Sequence, residues 1–337
     1  MDTHVRAILD APACNICGAA IAHPAEAREA LDCTECGSNR RLRSLIALFC
    51  QEMFGISIGL SELPELKEIR GIGMSDPLGL AERLSQKFDY TNTCYHQPPR
   101  LDLTQPDERE FGRYDFILSS EVMEHIPPPV ETAFATLAAL LKPDGLLLLT
   151  TPFSLDGVVR EHFPDLHQYS LAKLGDGIAL VNQTRAGEIQ VFENLVFHGG
   201  PGSTLEMRLF SLQQLRDALL AAGFTSVNYC EQTWPEFGIN LSEPFSLPIA
   251  ARKGNFRAPI QPFTEAYRNA NRTAEARLRS FNKQFTDYQN FVGYHQTDHK
   301  AGQKERMHLA ERLNKIEAAP WTRIGRRLGM LPKLDQD

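Results

Sequence analysis

Four cysteines near the start of the chain have the spacing of a metal-binding site. They form two pairs, each with two residues between its cysteines and a glycine after the second, at Cys14, Cys17, Cys33 and Cys36. Two intervening residues let both thiolates reach one tetrahedral ion, and the glycine lets the backbone turn toward the sulfurs. We expect a structural Zn²⁺ ion in a ribbon formed by residues 1–39. Disulfides are the alternative, which a cytosolic location disfavours.

Polar side chains also follow an apolar segment in the middle of the chain. In YDFILSSEVMEHI, residues 114–126, three consecutive apolar residues precede Ser120 and Glu121, and then Glu124 and His125. Ligands of parallel sheets bind beyond the carboxyl ends of the strands, so we expect a ligand at these side chains. A lone histidine more often packs or caps than catalyses, so His125 alone does not define a site.

The surrounding pattern is strand, helix, strand. Residues 116–118 and 146–149 are apolar throughout and predict buried strands, whereas residues 127–141 have apolar positions at helical spacing. Three prolines open this helix, and the KPDG segment at 142–145 ends it. Continuous apolar strands around a helix predict an α/β fold whose parallel sheet is covered on both faces.

Two motifs, YDFILSSEVMEHI and LLKPDGLLLLTTP, resemble those of class I S-adenosylmethionine-dependent methyltransferases of the type 11-like group. In that group the fourth strand ends in a turn like E-x-x-E-H-I, and the next helix ends in L-K-P-x-G. The resemblance implies a Rossmann-like, seven-stranded methyltransferase sheet and S-adenosylmethionine as cofactor. An unrelated doubly wound domain is the alternative.

The resemblance also implies that the cofactor lies against the turn after the first strand, which we predict at residues 66–72. Gly73 fits the first glycine of the family's loop, Ser75 and Asp76 occupy the places of further small residues, and Gly71 stands where an acidic residue is customary. Ser120 and Glu121 are the expected contacts from the fourth strand.

The next two strands depart from the family pattern. Tyr95, His96 and Gln97 stand at the end of the predicted second strand, residues 90–96, and just after it, where relatives have an acidic residue for the ribose hydroxyls. Asp102, in a predicted short third strand at 99–104, corresponds to the acidic position near the adenine. Its alternative role is to cap a turn.

Residues 154–207 form an insertion after the fifth strand that we expect to cover the substrate. It contains His162 and His167 in the segment EHFPDLHQY, a predicted β-hairpin at 178–197 with a turn near 185–187, and His198 before a glycine-rich loop. Insertions at this point face the site in this fold.

The remaining elements complete three predicted domains. A helix at 40–53 begins with Arg40, Arg41 and Arg43, which are candidates to bind a phosphate or carboxylate or simply a solvated helix start. A later helix has Ser211 as N-cap and Gly223 as its stop, and two antiparallel strands follow at 224–232 and 246–251. We therefore predict a zinc ribbon at 1–39, a class I methyltransferase domain at 40–254 and a basic helical extension at 255–337.

The net charge and the hydropathy of the chain limit the kinds of partner that it can bind. The net charge of −7 argues against a nucleic-acid binder, although residues 255–337 carry 15 Lys and Arg against nine Asp and Glu. That basic segment suits an acidic partner, a membrane surface or the body of the protein, or is a solvated face. Its aromatic positions Phe281, Phe285 and Tyr288 indicate packing or a homo-oligomer seam. We expect neither a membrane span nor a signal peptide, and a cytoplasmic protein.

Methyl transfer needs an aligned nucleophile, and a hydroxyl nucleophile needs a base with a pKa near neutrality. SSEV at 119–122 replaces the proline-rich tetrapeptide of methyltransferases that modify amide or base nitrogens, so we expect O-methylation of a small molecule or sugar/glycan hydroxyl. The candidate bases are His125, His162, His167 and His198, with His162 favoured. The alternatives are a zinc-ribbon RNA methyltransferase and a non-catalytic scaffold with a degenerate cofactor loop.

Overall fold

The computed structural model describes residues 12–21, 29–31, 33–175, 177–198, 204–241, 246–255 and 257–258, together with 279, 283, 307–312, 314–315 and 319. The chain divides into two compact units, one formed by residues 1–60 and 65–258 and the other by residues 61–64 and 259–337. In the second unit, residues 307–312 and 314–315 are helical. Phe281, Phe285 and Tyr288 lie outside the described residues, so the predicted helical extension stays a prediction. Within the described part of the chain, no helix is long and apolar enough to cross a membrane.

The first unit contains α-helices, a central sheet and smaller sheets in the insertion. The α-helices are α1 (Arg40–Phe54), α2 (Leu78–Lys87), α3 (Glu131–Leu140) and α4 (Leu212–Ala221). The strands are β1 (Leu66–Met74), β2 (Phe88–Thr93), β3 (Tyr114–Ser120), β4 (Leu141–Thr150), β5 (Phe153–Ser154), β6 (Arg160–Glu161), β7 (Gln168–Leu174), β8 (Gly177–Gln183), β9 (Ile189–Phe192), β10 (Phe197–His198), β11 (Thr204–Leu205), β12 (Arg208–Ser211), β13 (Ser226–Tyr229) and β14 (Ile249–Arg252). Short 3₁₀ helices occupy Leu60–Glu62, Glu108–Glu110, Met123–His125 and Pro235–Phe237.

The central sheet has the strand order β13-β14-β4-β3-β1-β2. Four neighbouring strands, from β4 to β2, run parallel, and β14 and β13 complete the sheet in antiparallel pairs. Ile117 of β3 pairs with Leu147 of β4, and both side chains are fully buried. The prediction of a mixed α/β sheet with an antiparallel pair at its end is confirmed.

The predicted third strand at residues 99–104 is wrong, and the sheet has six strands among the described residues instead of seven. Residues 95–99 form bends, and a single bridge joins Cys94 to Arg100. Pro98 and Pro99 lack the amide hydrogens that a ladder requires. Asp102 accepts hydrogen bonds from the amide and hydroxyl of Thr104, and so it caps a local turn.

Other element boundaries shift for local reasons. The helix predicted at 127–141 begins only at Glu131, because the residue before a proline disfavours helical backbone angles and residues 127–129 are all proline. The second strand ends at Thr93, before the predicted limit at residue 96. The hydroxyl of Ser211 accepts the amide hydrogen bond of Gln214 at 3.1 Å, which confirms this serine as the N-cap of α4. Gly223 has a φ of 101°, as expected for the residue that ends the helix.

The insertion is built from short sheets, in which all strand pairs except β5 with β12 are antiparallel. The hairpin predicted at 178–197 is a three-stranded sheet of β7, β8 and β9, and its predicted turn is present, with Gly187 at a φ of 90°. Strand β12 lies between β5 and β6 in a second small sheet, and β10 pairs with β11 in a third. The side chains of β7 are mostly exposed, so the sequence lacks the apolar alternation that would have revealed this strand.

Two buried arginines attach α1 to the rest of the unit. Arg43 is fully buried and donates to the carbonyl oxygens of Phe237, at 3.1 Å, and Gly238, at 3.3 Å. Arg252 of β14 forms an ion pair with Glu52 at 2.6 Å. The ion pair places the carboxyl-terminal end of α1 beside β14, and a hydrogen bond from Arg41 to Ser120 places its amino-terminal end beside the carboxyl end of β3.

The core around β4 leads to a first prediction. Leu147 is fully buried between α-helices and the neighbouring strands. We expect Leu147→Ala to lower the free energy of unfolding by about 2–5 kcal/mol, because the variant buries less apolar surface and leaves a cavity. Urea denaturation measures this loss. Leu220→Ala is the matched control, because Leu220 of α4 is 39% exposed, and its effect should stay within about 0.5 kcal/mol. Equal effects of the two substitutions would contradict the assigned core.

Candidate functional site

The sulfur atoms of the four predicted metal ligands lie together. All four are within 4.8 Å of one another, with separations of 3.7 Å between Cys14 and Cys36 and 3.5 Å from Cys33 to Cys17 and to Cys36. All are free thiols. Four thiolates on one Zn²⁺ ion at its usual bond length lie about 3.8 Å apart, whereas the sulfurs of a disulfide lie about 2.05 Å apart. The donor set therefore fits a tetrahedral ion.

Two tight turns shape this cluster. The amide of Gly18 donates to the carbonyl oxygen of Cys14 at 2.7 Å, and the amide of Gly37 donates to that of Cys33 at 2.9 Å. Both glycines have positive φ angles, 84° and 65°, that favour glycine over any residue with a side chain. The predicted role of the glycine after each cysteine pair agrees with this geometry.

A buried carboxylate closes the turn after β1. Asp76 accepts a hydrogen bond from the hydroxyl of Tyr90, and its amide donates to the side chain of Asn92 at 3.0 Å. A Cβ on Gly73 would lie 1.8 Å from the Tyr90 hydroxyl and 1.9 Å from an oxygen of Asp76. Gly73 is therefore required by the packing of this pair. Burial raises the pKa of Asp76 to about 6.

Gly71, the other unusual position of this turn, is also explained by packing. It pairs with Phe116 across β1 and β3, and a Cβ there would lie 2.1 Å from the Phe116 ring. That ring stacks on Tyr90 at 5.8 Å between centroids. The customary acidic side chain of the resemblance has no room at this position.

A strained turn follows β3. Glu121 has a φ of 55°, which is uncommon for a residue other than glycine and is concentrated at functional sites. Its carboxylate accepts a hydrogen bond from the hydroxyl of Ser246 at 3.0 Å. The hydroxyl of the preceding Ser120 lies 2.9 Å from that of Thr150 and accepts a hydrogen bond from the guanidinium of Arg41. The carboxyl ends of β3 and β4 thus carry a polar surface to which α1 contributes a cation.

Glu124, immediately beyond this turn, is fully buried. One carboxylate oxygen, Oε2, accepts a hydrogen bond from the hydroxyl of Thr151 at 3.0 Å. The other, Oε1, has no hydrogen-bond partner among the described residues and lies 3.6 Å from Nε2 of His125 and 3.7 Å from Nδ1 of His198. Burial, followed by the nearby charge of Glu121, raises the pKa of Glu124 to about 8.

Three histidines and a second glutamate surround this carboxylate. Nδ1 of His125 lies 2.9 Å from the carbonyl oxygen of Leu205, so it carries the proton and Nε2 faces Glu124. Glu206 bridges the other two histidines, at 2.9 Å from Nε2 of His198 and 2.8 Å from Nε2 of His162. We call these five residues the Glu124 cluster: Glu124, His125, His162, His198 and Glu206.

The pKa values of two histidines in the cluster shift in opposite directions. Burial lowers the pKa of His125, which favours its neutral form near pH 7. The hydrogen bond that His198 donates to Glu206 raises the pKa of His198. His167, the fourth candidate base, is exposed, and its backbone amide donates to the side chain of Asn182 at 2.9 Å. The structure thus brings three of the four candidates together and leaves His167 outside.

Asp102 borders a separate cleft of ≈ 440 Å³ beside β1 and β2. Its walls include Ile72, Thr91 and Thr93, and the ion pair between Arg100 and Asp102, at 3.4 Å, lies at its edge. This is where the predicted third strand would have been. Asp102 thus borders this cleft, but its carboxylate accepts hydrogen bonds from Thr104 in the local turn.

Sequence reasoning missed Glu206. Nothing in its neighbourhood along the chain marks it, because it stands as a single acidic residue between the buried Leu205 and Met207. Only the pairing of β10 with β11, in which His198 is opposite Thr204, brings it to the histidines. Arg41 was considered only as one of three basic residues at the start of α1, and its contact with Ser120 is a property of the tertiary structure.

Residues 74–229 match the family model of a methyltransferase domain. These residues resemble a methyltransferase domain. The matched segment covers a little under half of the chain, and it contains both the turn after β3 and the Glu124 cluster. The match supports the expected enzyme class, a methyltransferase. The four-cysteine segment lies outside it.

Among curated proteins, none matches the chain. Solved structures that match part of the chain include the 1,6-didemethyltoxoflavin-N1-methyltransferase of Burkholderia thailandensis, at 20% identity over 55% of this chain and 71% of that chain with a TM-score of 0.32. The CurJ carbon methyltransferase matches at 15% identity over 58% of this chain, which spans about half (51%) of that one, with a TM-score of 0.36. The amino pentose methyltransferase CalS10 of Micromonospora echinaspora matches at 18% identity over 55% of this chain and 83% of that chain, with a TM-score of 0.32. Such low identities and TM-scores carry no argument about chemistry.

The raised pKa of Asp76 predicts a pH dependence of stability. The folded protein holds this proton up to pH about 6, whereas the unfolded chain releases it near the ordinary value of 3.8, so stability falls as pH rises through that window. Asp76→Asn removes the titration while its amide oxygen still accepts from Tyr90. The stability of the variant relative to the wild type should therefore rise by about 3 kcal/mol between pH 3.8 and pH 7.

Urea denaturation at several pH values measures this difference. Glu82→Gln, at an exposed position of α2, gives the background change expected from removing one carboxylate. A difference between Asp76→Asn and wild type that stays constant with pH would show that Asp76 ionises normally in the folded protein.

Proposed function

We propose that the protein transfers a methyl group from S-adenosylmethionine to a hydroxyl oxygen of a small molecule or sugar. The observation that carries this proposal is the Glu124 cluster, which lies within the methyltransferase domain and just beyond the carboxyl end of β3. Ligands of open α/β sheets bind at that edge. A group of histidines joined by a carboxylate there suits the removal of a proton from a hydroxyl acceptor.

The cofactor would be held by two turns at the same edge. They are the turn after β1, at Ser75, and the turn after β3, at Ser120 and Glu121. Bound there, S-adenosylmethionine supplies an electrophilic methyl group on a sulfonium sulfur. The Arg41 guanidinium, which contacts Ser120, offers a charge for the carboxylate of the methionine part.

His125 is the best-placed base. Its Nδ1 proton is fixed on the carbonyl of Leu205, and burial keeps the ring neutral, so Nε2 can accept a proton at neutral pH. The chain from His198 through Glu206 to His162 offers a path toward solvent, since the His162 side chain is 29% exposed. The sequence favoured His162, but geometry supports His125 as the acceptor of the proton and His162 as the outer end of the path.

The other two functions have less support. A net charge of −7 argues against an RNA substrate. A non-catalytic scaffold has no use for a fully buried glutamate among histidines, because burying a carboxylate without a hydrogen bond to one of its oxygens costs stability.

We also propose that the four cysteines bind one Zn²⁺ ion. The sulfur separations near the tetrahedral value and the glycine turns support this. Four thiolates leave no position open for water, so the ion would be structural. It would fix residues 12–21 and 33–39 ahead of α1, which carries Arg41 toward the cofactor edge.

The histidine assignment predicts a selective loss of turnover. With labelled S-adenosylmethionine and a hydroxyl acceptor found by screening small molecules and sugars, His125→Ala should lower turnover by about a hundredfold or more. Its affinity for S-adenosylhomocysteine, measured by calorimetry, should remain near that of the wild type. His167→Ala is the matched control and should retain turnover. Full activity of His125→Ala would rule out this histidine as the base.

The zinc assignment predicts one zinc per chain by elemental analysis of the purified protein. Cys14→Ser combined with Cys17→Ser should remove the ion and expose residues 12–39 to proteolysis, because a folded four-cysteine site depends on its metal. Cys94→Ser, which changes a cysteine outside the cluster, should keep the ion. Retention of one zinc by the double variant would contradict the assignment.

A further inference from the structure

The unpartnered oxygen of Glu124 is the least explained polar atom of the methyltransferase domain. It belongs to a side chain with no exposed surface, and two imidazole nitrogens lie 3.6 and 3.7 Å from it. Those distances are too long for hydrogen bonds. The three atoms converge on one point without touching, which is the arrangement expected around an ion.

We propose that Glu124, His125 and His198 bind a divalent transition-metal ion through Oε1, Nε2 and Nδ1, and that this ion receives the acceptor hydroxyl. The inference rests on the proposed methyl transfer and deepens it. All three atoms lie within 4.8 Å of one another. Tetrahedral ligands at usual zinc bond lengths are about 3.4 Å apart, and the two distances from Oε1 of Glu124 to the histidine nitrogens, 3.6 and 3.7 Å, exceed this by only a few tenths of an ångström.

The second nitrogen of each histidine supports the assignment. A metal-bound histidine almost always donates its other N–H to a carboxylate or a backbone carbonyl, which fixes the ring and its tautomer. Nδ1 of His125 lies 2.9 Å from the carbonyl oxygen of Leu205, and Nε2 of His198 lies 2.9 Å from Oε2 of Glu206. The nitrogens assigned to the metal are those that lie toward Glu124, Nε2 of His125 at 3.6 Å and Nδ1 of His198 at 3.7 Å. The ring centroids of the two histidines are 4.7 Å apart and nearly perpendicular, at 84°.

The chemistry of the donor set indicates the class of ion. Two imidazoles and one carboxylate suit Zn²⁺, Fe²⁺, Co²⁺ or Mn²⁺ better than Mg²⁺ or Ca²⁺, which prefer oxygen ligands. The ion would also neutralise the buried Glu124 carboxylate, whose charge is otherwise costly in this position. Three protein ligands leave at least one coordination position open.

The open position gives the ion a role in methyl transfer. A bound hydroxyl has a lowered pKa, and its proton can leave to Glu206 and on toward His162. The resulting alkoxide attacks the methyl carbon, so an O–C bond forms as the C–S bond breaks and its electron pair stays on sulfur. An acceptor with a second oxygen beside the reacting hydroxyl would fill two positions and be favoured. With the ion bound, His125 is a ligand, and the proton passes to Glu206.

Metal binding tests the inference directly. Full-length protein that retains one zinc after dialysis against a weak chelator is titrated with Co²⁺. We expect one further ion per chain by calorimetry and elemental analysis, with visible absorption bands that lack a thiolate-to-cobalt contribution. Glu124→Gln and His198→Ala should each lower the affinity at least tenfold, and Glu206→Gln about 10- to 100-fold.

His167→Ala is the control and should bind Co²⁺ as the wild type does. Glu124→Gln preserves the shape of the side chain, so its folding can be checked by circular dichroism alongside. Failure of the wild type to bind a second ion, or binding that is equal in Glu124→Gln and wild type, would overturn the inference. Methyl transfer that persists without the second ion would overturn its role while leaving the proposed function intact. Binding of Co²⁺ by protein that fails to bind S-adenosylmethionine would support the site and refute the proposed function.

Discussion

The burial of Glu124 is the constraint on which this end of the molecule depends. A carboxylate removed from water must be hydrogen-bonded, protonated or paired with a cation, because an isolated buried charge is too costly. Thr151, at the end of β4, satisfies one oxygen, and burial raises the pKa of the group to about 8. The backbone carbonyl of Glu124 accepts the amide of Met207 at 2.8 Å, which attaches the insertion to the sheet at this residue. Glu124 therefore belongs to the candidate site and also attaches the insertion to the rest of the unit.

Arg208 reinforces the same junction. Its side chain is fully buried, donates to the carbonyl oxygens of Met123 and Ile126, and pairs with Glu161 of β6 at 2.7 Å. The turn between β3 and α3 is thus held by two residues, Thr151 just after β4 and Arg208 of β12. A rigid turn of this kind would keep the proposed catalytic groups in place, and such positioning supplies much of the rate of a transfer reaction.

The sequence predicted best what is local. The apolar runs at 116–118 and 146–149 are buried on both faces of the sheet and read as strands, and the cysteine spacing and the glycine turns are properties of short segments. The third strand failed because two prolines removed its donors, and β7 was missed because its face is exposed. Gly73 was predicted as a cofactor contact, yet the space beside it is filled by Tyr90 and Asp76.

The composition of the Glu124 cluster could be predicted only in part. Glu124 and His125 are adjacent in the chain and follow a strand, so their position at the carboxyl end of that strand could be predicted from the sequence. The meeting of His198, Glu206 and His162 depends on the pairing of β10 with β11 and of β6 with β12, which no periodicity in the sequence reveals. Arg41 reaches Ser120 across 79 positions of sequence separation, and its role likewise depends on how α1 packs.

The central claim is that the cofactor and the Glu124 cluster share the carboxyl edge of β3. A crystal structure of the protein with S-adenosylhomocysteine measures this most directly. We predict that the thioether sulfur lies between the turn after β1 and the Glu124 cluster, with the methionine carboxylate toward Arg41. A ligand found instead in the cleft beside Asp102, with its sulfur remote from His125 and His198, would contradict the account.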